Sequence, residues 1–284
     1  MSQLALLDVA PVLGPDATIS TPTDEKDFKI KRPCKTFDGA FFCGMEYDEW
    51  NLVRGLVRPG SVVLELGGRF GTTSCVIAEK VGATGRVVAV EPDPKAYRAL
   101  TRNRARHNCT FDILRATIGD TPNLVISQDL QHYATRTYIA HSKRDLQRAV
   151  PAIDYRSLEK QIGRQFDTLL IDCEGCIEQF FVGSTRRLLH QLRLILMEED
   201  VPHAVDYAKW HAKLRHHGFE RVWRIRDTFE PSAAWSRNIS HSAWMRGGLS
   251  ASGLPTCAEF AAQTRQSRRW LHCMDPLSEE PMLP

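Results

Sequence analysis

The stretch VVLELGGRFG, residues 62–71, closes an apolar run on an acidic residue and then places Gly67, Gly68 and Gly71 within five positions. Short apolar runs bounded by glycine read as buried strands, so Val62, Val63, Leu64 and Leu66 predict one. The glycines let the backbone turn sharply and let a ligand approach it without a Cβ in the way. Thr72, Thr73 and Ser74 follow, and Ser/Thr clusters commonly cap a helix. Strand, glycine turn and helix in this order make the corner of a doubly wound sheet, where ligands bind beyond the carboxyl ends of the strands.

The rest of the chain repeats the alternation. Helices are expected over 46–57, 72–81, 94–107, 177–190 and 204–217, and strands over 86–90, 111–118, 166–171, 192–197 and 220–225. A short strand is expected over 37–42, the far side of a hairpin over 124–127, and a last, antiparallel edge strand over 239–245. This predicts an α/β fold with a mostly parallel sheet, one antiparallel edge strand and helices on both faces. Residues 1–32, rich in Pro, Thr and Asp, predict a loose arm, and 33–246 the ligand-binding domain, with a lid or insertion over 128–163. Residues 247–284 are a C-terminal extension with one short helix over 258–266.

Composition narrows the class of protein. With 284 residues, 43% hydrophobic, the chain can bury a proper core, and its net charge of +3 points to no polyanionic partner. The basic clusters at 98–107, 186–193 and 209–221 share their segments with apolar residues at helical spacing, so they read as solvated helix faces rather than nucleic-acid contacts. The N-terminal apolar run is too short for a membrane span or signal peptide, and a cytoplasmic setting is expected. Eight cysteines in a chain this long read mostly as reduced core thiols, and Cys173-x-x-Cys176 lacks the second pair or histidines of a zinc site. Trp235 and Trp244 read as core. The sequence carries no signal for an oligomeric state.

The glycine turn fails two common tests. Counting from Gly67, the third and sixth places of a Gly-x-Gly-x-x-Gly fingerprint are Arg69 and Thr72, and Gly71 is followed by Thr72-Thr73 rather than Lys-Ser/Thr. What remains, Glu65-x-Gly67-x-x-x-Gly71, resembles motif I of the class I methyltransferases that use S-adenosylmethionine. Glu91 ends the next strand about 20 residues on, where an acidic side chain can accept both ribose hydroxyls of a nucleoside. Asp172 ends the fourth strand with Glu174 just beyond it, and Glu198, Glu199 and Asp200 end the fifth, so up to five carboxylates are expected on one rim. Such crowding raises pKa values, which suits a general base or a divalent cation.

LLIDCEG (169–175), LILMEED (194–200), VVAVEPDPKAYRALTRNRARHN (87–108) and the glycine loop together resemble the FkbM family of S-adenosylmethionine-dependent methyltransferases, over about 37–225. The resemblance implies methyl transfer, usually to a hydroxyl or carboxyl oxygen of a small molecule. It implies cofactor binding by Glu65, Gly67, Gly68, Gly71, Thr72, Glu91, Pro92, Thr117 and Asp172, and catalysis by Asp172 or Glu174, with His203 and His241 as outside candidates for the base. The cofactor would lie over 67–71, its ribose on Glu91 and its adenine near Pro92 and 116–118. An arginine at Gly67 is expected to block it without unfolding the protein. The chain departs from the family in having Glu65 for Asp, Arg69 or Phe70 for Asn, Leu170 for Lys, and Ile177 where Glu is common, with Glu178 one place later. No metal is assigned. The alternatives are a cation-assisted catechol-type O-methyltransferase, whose usual Asp-Asn pair is absent, a non-catalytic binding module of the same fold, and a nicotinamide oxidoreductase, against which the failed fingerprint argues.

Overall fold

In a computed structural model of the chain, the structure describes residues 7–8, 46–127, 135–226 and 239–247. Most of the expected arm and C-terminal extension, the strand over 37–42, the helix over 258–266 and Trp235 lie outside the described residues. In chain order come β1 (Leu7–Asp8), α1 (Tyr47–Leu56), β2 (Val62–Leu66), α2 (Thr72–Val81), β3 (Arg86–Val90), α3 (Pro94–Arg106) and β4 (Asp112–Leu114). Short elements follow: β5 (Thr117–Ile118), β6 (Asn123–Ser127), β7 (Thr135–Ile139), α4 (Lys143–Leu146), β8 (Ala152–Ile153) and α5 (Tyr155–Ile162). The second half is β9 (Thr168–Ile171), α6 (Ile177–Phe180), a 3₁₀ helix (Gly183–His190), β10 (Leu194–Glu199), α7 (Tyr207–His216), β11 (Phe219–Arg226) and β12 (Ser240–Arg246).

The main sheet has the order β1-β4-β3-β2-β9-β10-β12-β11. From β4 to β10 every pairing is parallel. β1 pairs antiparallel to β4 at one edge, and β12 pairs antiparallel to both β10 and β11. Strand order runs outward one way from β2 and the other way from β9. The crevice therefore opens where their carboxyl ends part.

Every residue of β2 is buried, as a central parallel strand covered on both faces requires. Its side chains alternate between two cores. Val62, Leu64 and Leu66 join Leu158, Ile177, Phe181 and Trp210 on one face. Val63 joins Leu52, Val53, Ile77 and Leu100 on the other. Helices thus cover both faces. No helix among the described residues is long and apolar enough to cross a membrane.

Several expectations need correction. The antiparallel strand is present, but it sits one place in from the edge, between β10 and β11. The strand expected over 111–118 splits, because the chain leaves the main sheet after Leu114 and Thr117–Ile118 pairs instead with Ala152–Ile153. The helix expected over 177–190 breaks at Gly183, whose φ of +66° a right-handed helix does not admit. The Ser/Thr cluster does not cap α2. Gly71, at φ +87°, takes the N-cap place without a side-chain bond. The hydroxyls of Thr72, Thr73 and Ser74 bond to Glu46, Glu46 or Glu49, and Glu65.

The cysteine reading is also overturned. The four cysteines among the described residues are paired, Cys75 with Cys109 and Cys173 with Cys176. The count of cysteines against chain length hides the fact that the fold brings Cys75 on α2 and Cys109 after α3 to a Cα separation of 5.3 Å. The second pair encloses Glu174 and Gly175. Unfolded without reductant and treated with iodoacetamide, the protein should yield no alkylated Cys75, Cys109, Cys173 or Cys176 by peptide mass spectrometry. Alkylation of any of them in freshly purified protein contradicts the pairing.

Candidate active site

A pocket opens at the carboxyl ends of β3, β2 and β9. Gly67 and Arg69 form its floor, Val90, Glu91 and Pro92 one side, and Asp172, Cys173 and Glu174 the other. Ala116 to Asp120 close the β3 end. Asn123, Thr137 and Ile139 from the β6–β7 hairpin, with Glu178, Gln179 and Phe180 from α6, complete the wall. The hairpin is tied to α6 where Gln179 Nε2 donates to the Thr137 carbonyl at 3.2 Å.

Of the residues assigned to a cofactor, Gly67, Glu91, Pro92, Thr117 and Asp172 line this pocket. Gly67 is fixed by contact. A Cβ there would sit 1.6 Å from the backbone oxygen of Asp172 and 2.7 Å from its carbonyl carbon. The expectation that an arginine at Gly67 spares the fold is therefore wrong, because any side chain must displace the end of β9. Glu65, Gly68, Gly71 and Thr72 stand behind the wall. Glu65 accepts from Ser74 and is 1% exposed. A Cβ at Gly68 or Gly71 would press on Leu100 at 3.2 or 2.7 Å.

Glu91 accepts from the backbone N–H of Arg69 at 2.8 Å and of Asp93 at 2.7 Å, one at each carboxylate oxygen. Each oxygen keeps a lone pair for a hydroxyl in the pocket. Arg69 holds φ +43° and Glu174 φ +54°. Both are non-glycine residues in the left-handed region, one on each loop of the pocket, a strain that persists where the surroundings over-determine it.

The acidic rim sets the carboxylates at the end of β9 against those at the end of β10. Burial first, and then the neighbouring acidic charges, push Glu198 and Glu174 upward. Burial also raises Asp172, to about 7, and it raises Asp200. Asp200 accepts from Tyr207 Oη at 2.8 Å. Carboxylate oxygens of Asp172, Glu198 and Asp200 lie within 4.8 Å of one another, close enough to share a cation.

Glu199 does not join them. Strand alternation turns it to the opposite face, where it is 2% exposed and bonds His211 at 2.9 Å, Arg224 at 3.0 Å and Ser240 Oγ at 3.1 Å. Burial opposes its charge, but the bond and charge of His211 and the charge of Arg224 outweigh it and hold the carboxyl at about 2. The expected rim of five carboxylates is thus four. His203 is exposed and outside the pocket wall, and His241 lies behind Glu198, its Nε2 4.0 Å from Glu198 Oε1.

Sequence reasoning missed Glu46, Asn123 and Gln179, which reach the pocket from α1's leading turn, the hairpin and α6. No periodic or motif signal marks them. Thr117 Oγ1 and Asn123 Oδ1 are buried at the pocket with no hydrogen-bond partner among the described residues. Orphaned polar atoms of this kind call for a ligand or water. A hydroxyl and an amide carbonyl fit the ring nitrogens and exocyclic amine of an adenine, and the Gly67 turn leaves the backbone bare where a ligand would lie.

The doubly wound sheet, its glycine turn at the switch point and the acidic residues after β3 and β9 define a nucleoside-binding α/β protein of the class I methyltransferase architecture. The methyltransferase FkbM domain model matches residues 65–221, and the chain belongs to that family. Enzymes of the family use S-adenosylmethionine. No curated protein matches the chain. Among solved structures it is similar to the O-methyltransferase TomG from Streptomyces achromogenes in complex with SAM, at 12% identity and TM-score 0.43 over 70% of this chain and 80% of that one. Aeropyrum pernix fibrillarin with natively bound S-adenosyl-L-methionine matches at 16% identity and TM-score 0.39 over 70% and 74%. The Methanococcus jannaschii fibrillarin pre-rRNA processing protein matches at 14% and 0.42 over 72% and 76%.

Burial, reinforced by Glu46, Asp172 and Glu91, raises Glu65 to about 8, against the bond from Ser74. Burial likewise raises Glu91 to about 7, against its bonds and the charge of Arg69. The folded protein thus keeps protons that the unfolded chain has released. The associated stability is present below the ordinary carboxylate range and is lost as pH rises through 7 to 8. The melting temperature of the ligand-free protein should fall between pH 6 and 8.5, and Glu65→Gln should flatten that fall. A melting temperature that rises over this window contradicts the protonation of these groups.

Proposed function

We propose that the chain transfers the methyl group of S-adenosylmethionine to a hydroxyl or carboxyl oxygen of a small molecule, with Asp172 as the base. The observation that carries this reading is the position of Asp172. It lines the pocket at the end of β9, its backbone is packed on the motif I glycine, and its carboxylate lies within 4.8 Å of those of Glu198 and Asp200. Glu174, pushed up by burial and by the charges of Asp200 and Asp172, fits the role of holding the acceptor.

When bound, the cofactor supplies an electrophilic methyl group on a sulfonium. The protein's part is to hold donor and acceptor in line, and positioning of this kind supplies on the order of 7–11 kcal/mol of barrier reduction. Gly67 and Arg69 would floor the cofactor, Glu91 would accept its ribose hydroxyls, and Thr117 and Pro92 would meet its adenine. Asp172 would take the acceptor's hydroxyl proton as its oxygen attacks. The pocket wall contributed by the β6–β7 hairpin supports the reading of that segment as a cover over a small acceptor.

A second reading rests on one observation, the closeness of the Asp172, Glu198 and Asp200 oxygens. A divalent cation held there would orient the acceptor and lower its pKa, as in the catechol-type enzymes. Transfer of labelled methyl to a panel of hydroxyl and carboxyl acceptors, with and without chelator, separates the two. On the first reading chelator leaves turnover unchanged. Asp172→Asn then lowers kcat roughly 10²–10⁴-fold while S-adenosylhomocysteine affinity measured by calorimetry stays within a few-fold. Undiminished kcat in Asp172→Asn contradicts its role as base.

A further inference from the structure

The matched family domain begins at residue 65, yet the pocket draws on a residue well before it. Glu46 lines the pocket, and its charge acts on Asp172 and Glu65. It is held there by the first turn of α2, where the Thr72 hydroxyl bonds its Oε2 and the Thr73 hydroxyl, 2.9 Å away, donates its one proton to Glu46 or to Glu49. α1 keeps this arrangement in place from behind. Trp50 Nε1 donates to Thr73 Oγ1 at 2.9 Å, Glu49 lies 2.7 Å from the same hydroxyl, and Leu52 and Val53 pack into the core with Ile77 and Ala78 of α2.

The pocket has two unlike ends. Toward β3 and β4 stand Glu91, Pro92 and the orphaned hydroxyl of Thr117, groups suited to a ribose and a base. A cofactor whose adenosine takes that end must extend its amino acid across Gly67 toward β9, where the pocket offers Asp172 and Glu46. Asp172 is already set against Glu198 and Asp200, whose carboxylate oxygens lie within 4.8 Å of its own. The amino-acid end carries an ammonium, and a carboxylate in a partly desolvated site is its natural partner.

We propose that Glu46 supplies the carboxylate that receives the methionine ammonium of S-adenosylmethionine, which makes α1 and its leading turn part of the cofactor site. This rests on the cofactor reading above and deepens it. It frees Asp172 for the proton of the acceptor. It also explains why two threonine hydroxyls at the start of α2 are spent on side chains outside the glycine motif rather than on capping the helix.

The test uses two unreactive ligands, S-adenosylhomocysteine and its analogue lacking the amino group, titrated calorimetrically into wild type, Glu46→Gln and Glu46→Asp. Wild type should bind the amino ligand at least tenfold more tightly than the analogue. Glu46→Gln should weaken the amino ligand about tenfold and leave the analogue within twofold, so that the preference between the two collapses. Glu46→Asp, which keeps the charge and guards against a Gln variant that fails to fold, should retain a reduced preference. Equal losses for both ligands would mean that Glu46 only braces α2, and unchanged binding of the amino ligand would also overturn the proposal. A wild type that binds neither ligand defeats the cofactor reading itself, a result distinct from wild-type binding that ignores residue 46.

Discussion

The carbonyl oxygen of Asp172 occupies the place where a side chain on Gly67 would begin. A Cβ at that position would approach it to 1.6 Å, so the turn after β2 and the end of β9 can meet only through a bare backbone. That contact fixes the crevice. It holds the acidic end of β9 beside the glycine turn that floors the pocket. The left-handed conformations of Arg69 and Glu174 follow from the same crowding, since each loop must turn sharply to bring its next residue clear of the other.

Around this contact the protein buries more negative charge than it pairs. Glu65, Glu91, Asp172, Glu174, Glu198 and Asp200 are all shifted upward, burial being the first cause for each. Asp172 at the end of β9 and Glu198 and Asp200 at the end of β10 bring carboxylate oxygens within 4.8 Å of one another. Glu199, one residue along, shows the contrast. With His211, Arg224 and Ser240 around it, burial is offset by partners and the carboxyl stays ionised. For the pocket carboxyls the charges of Arg69 and Arg136 do not outweigh burial, which suits a site whose ligand brings positive charge with it.

Much of this was legible in the sequence because it is local. The β2 strand, the glycine turn and α2 are contiguous, and Glu91 and Asp172 are marked by the strands they terminate. The fold class followed from the alternation of periods. Other features depend on contacts that no spacing encodes. Glu46 reaches the site only because α1 packs on α2, and the carboxylate cluster exists because β9 and β10 end side by side. The disulfide between Cys75 and Cys109 needed α2 and α3 to be brought together. Glu199 was misplaced for a reason the sequence does contain, since period-two alternation puts consecutive residues 198 and 199 on opposite faces. The break after Leu114 was not marked, because Thr117–Ile118 is as apolar as a continuing strand and only its pairing with Ala152–Ile153 reveals the change of sheet.

A crystal structure with S-adenosylhomocysteine tests most directly whether one ligand lies across β3, β2 and β9 with its reactive end at Asp172. The ribose hydroxyls should sit on Glu91, the chain of the ligand should cross the bare backbone of Gly67, and the thioether sulfur should face the Asp172 carboxylate. A ligand seated elsewhere, or one whose sulfur faces away from Asp172, would contradict that placement.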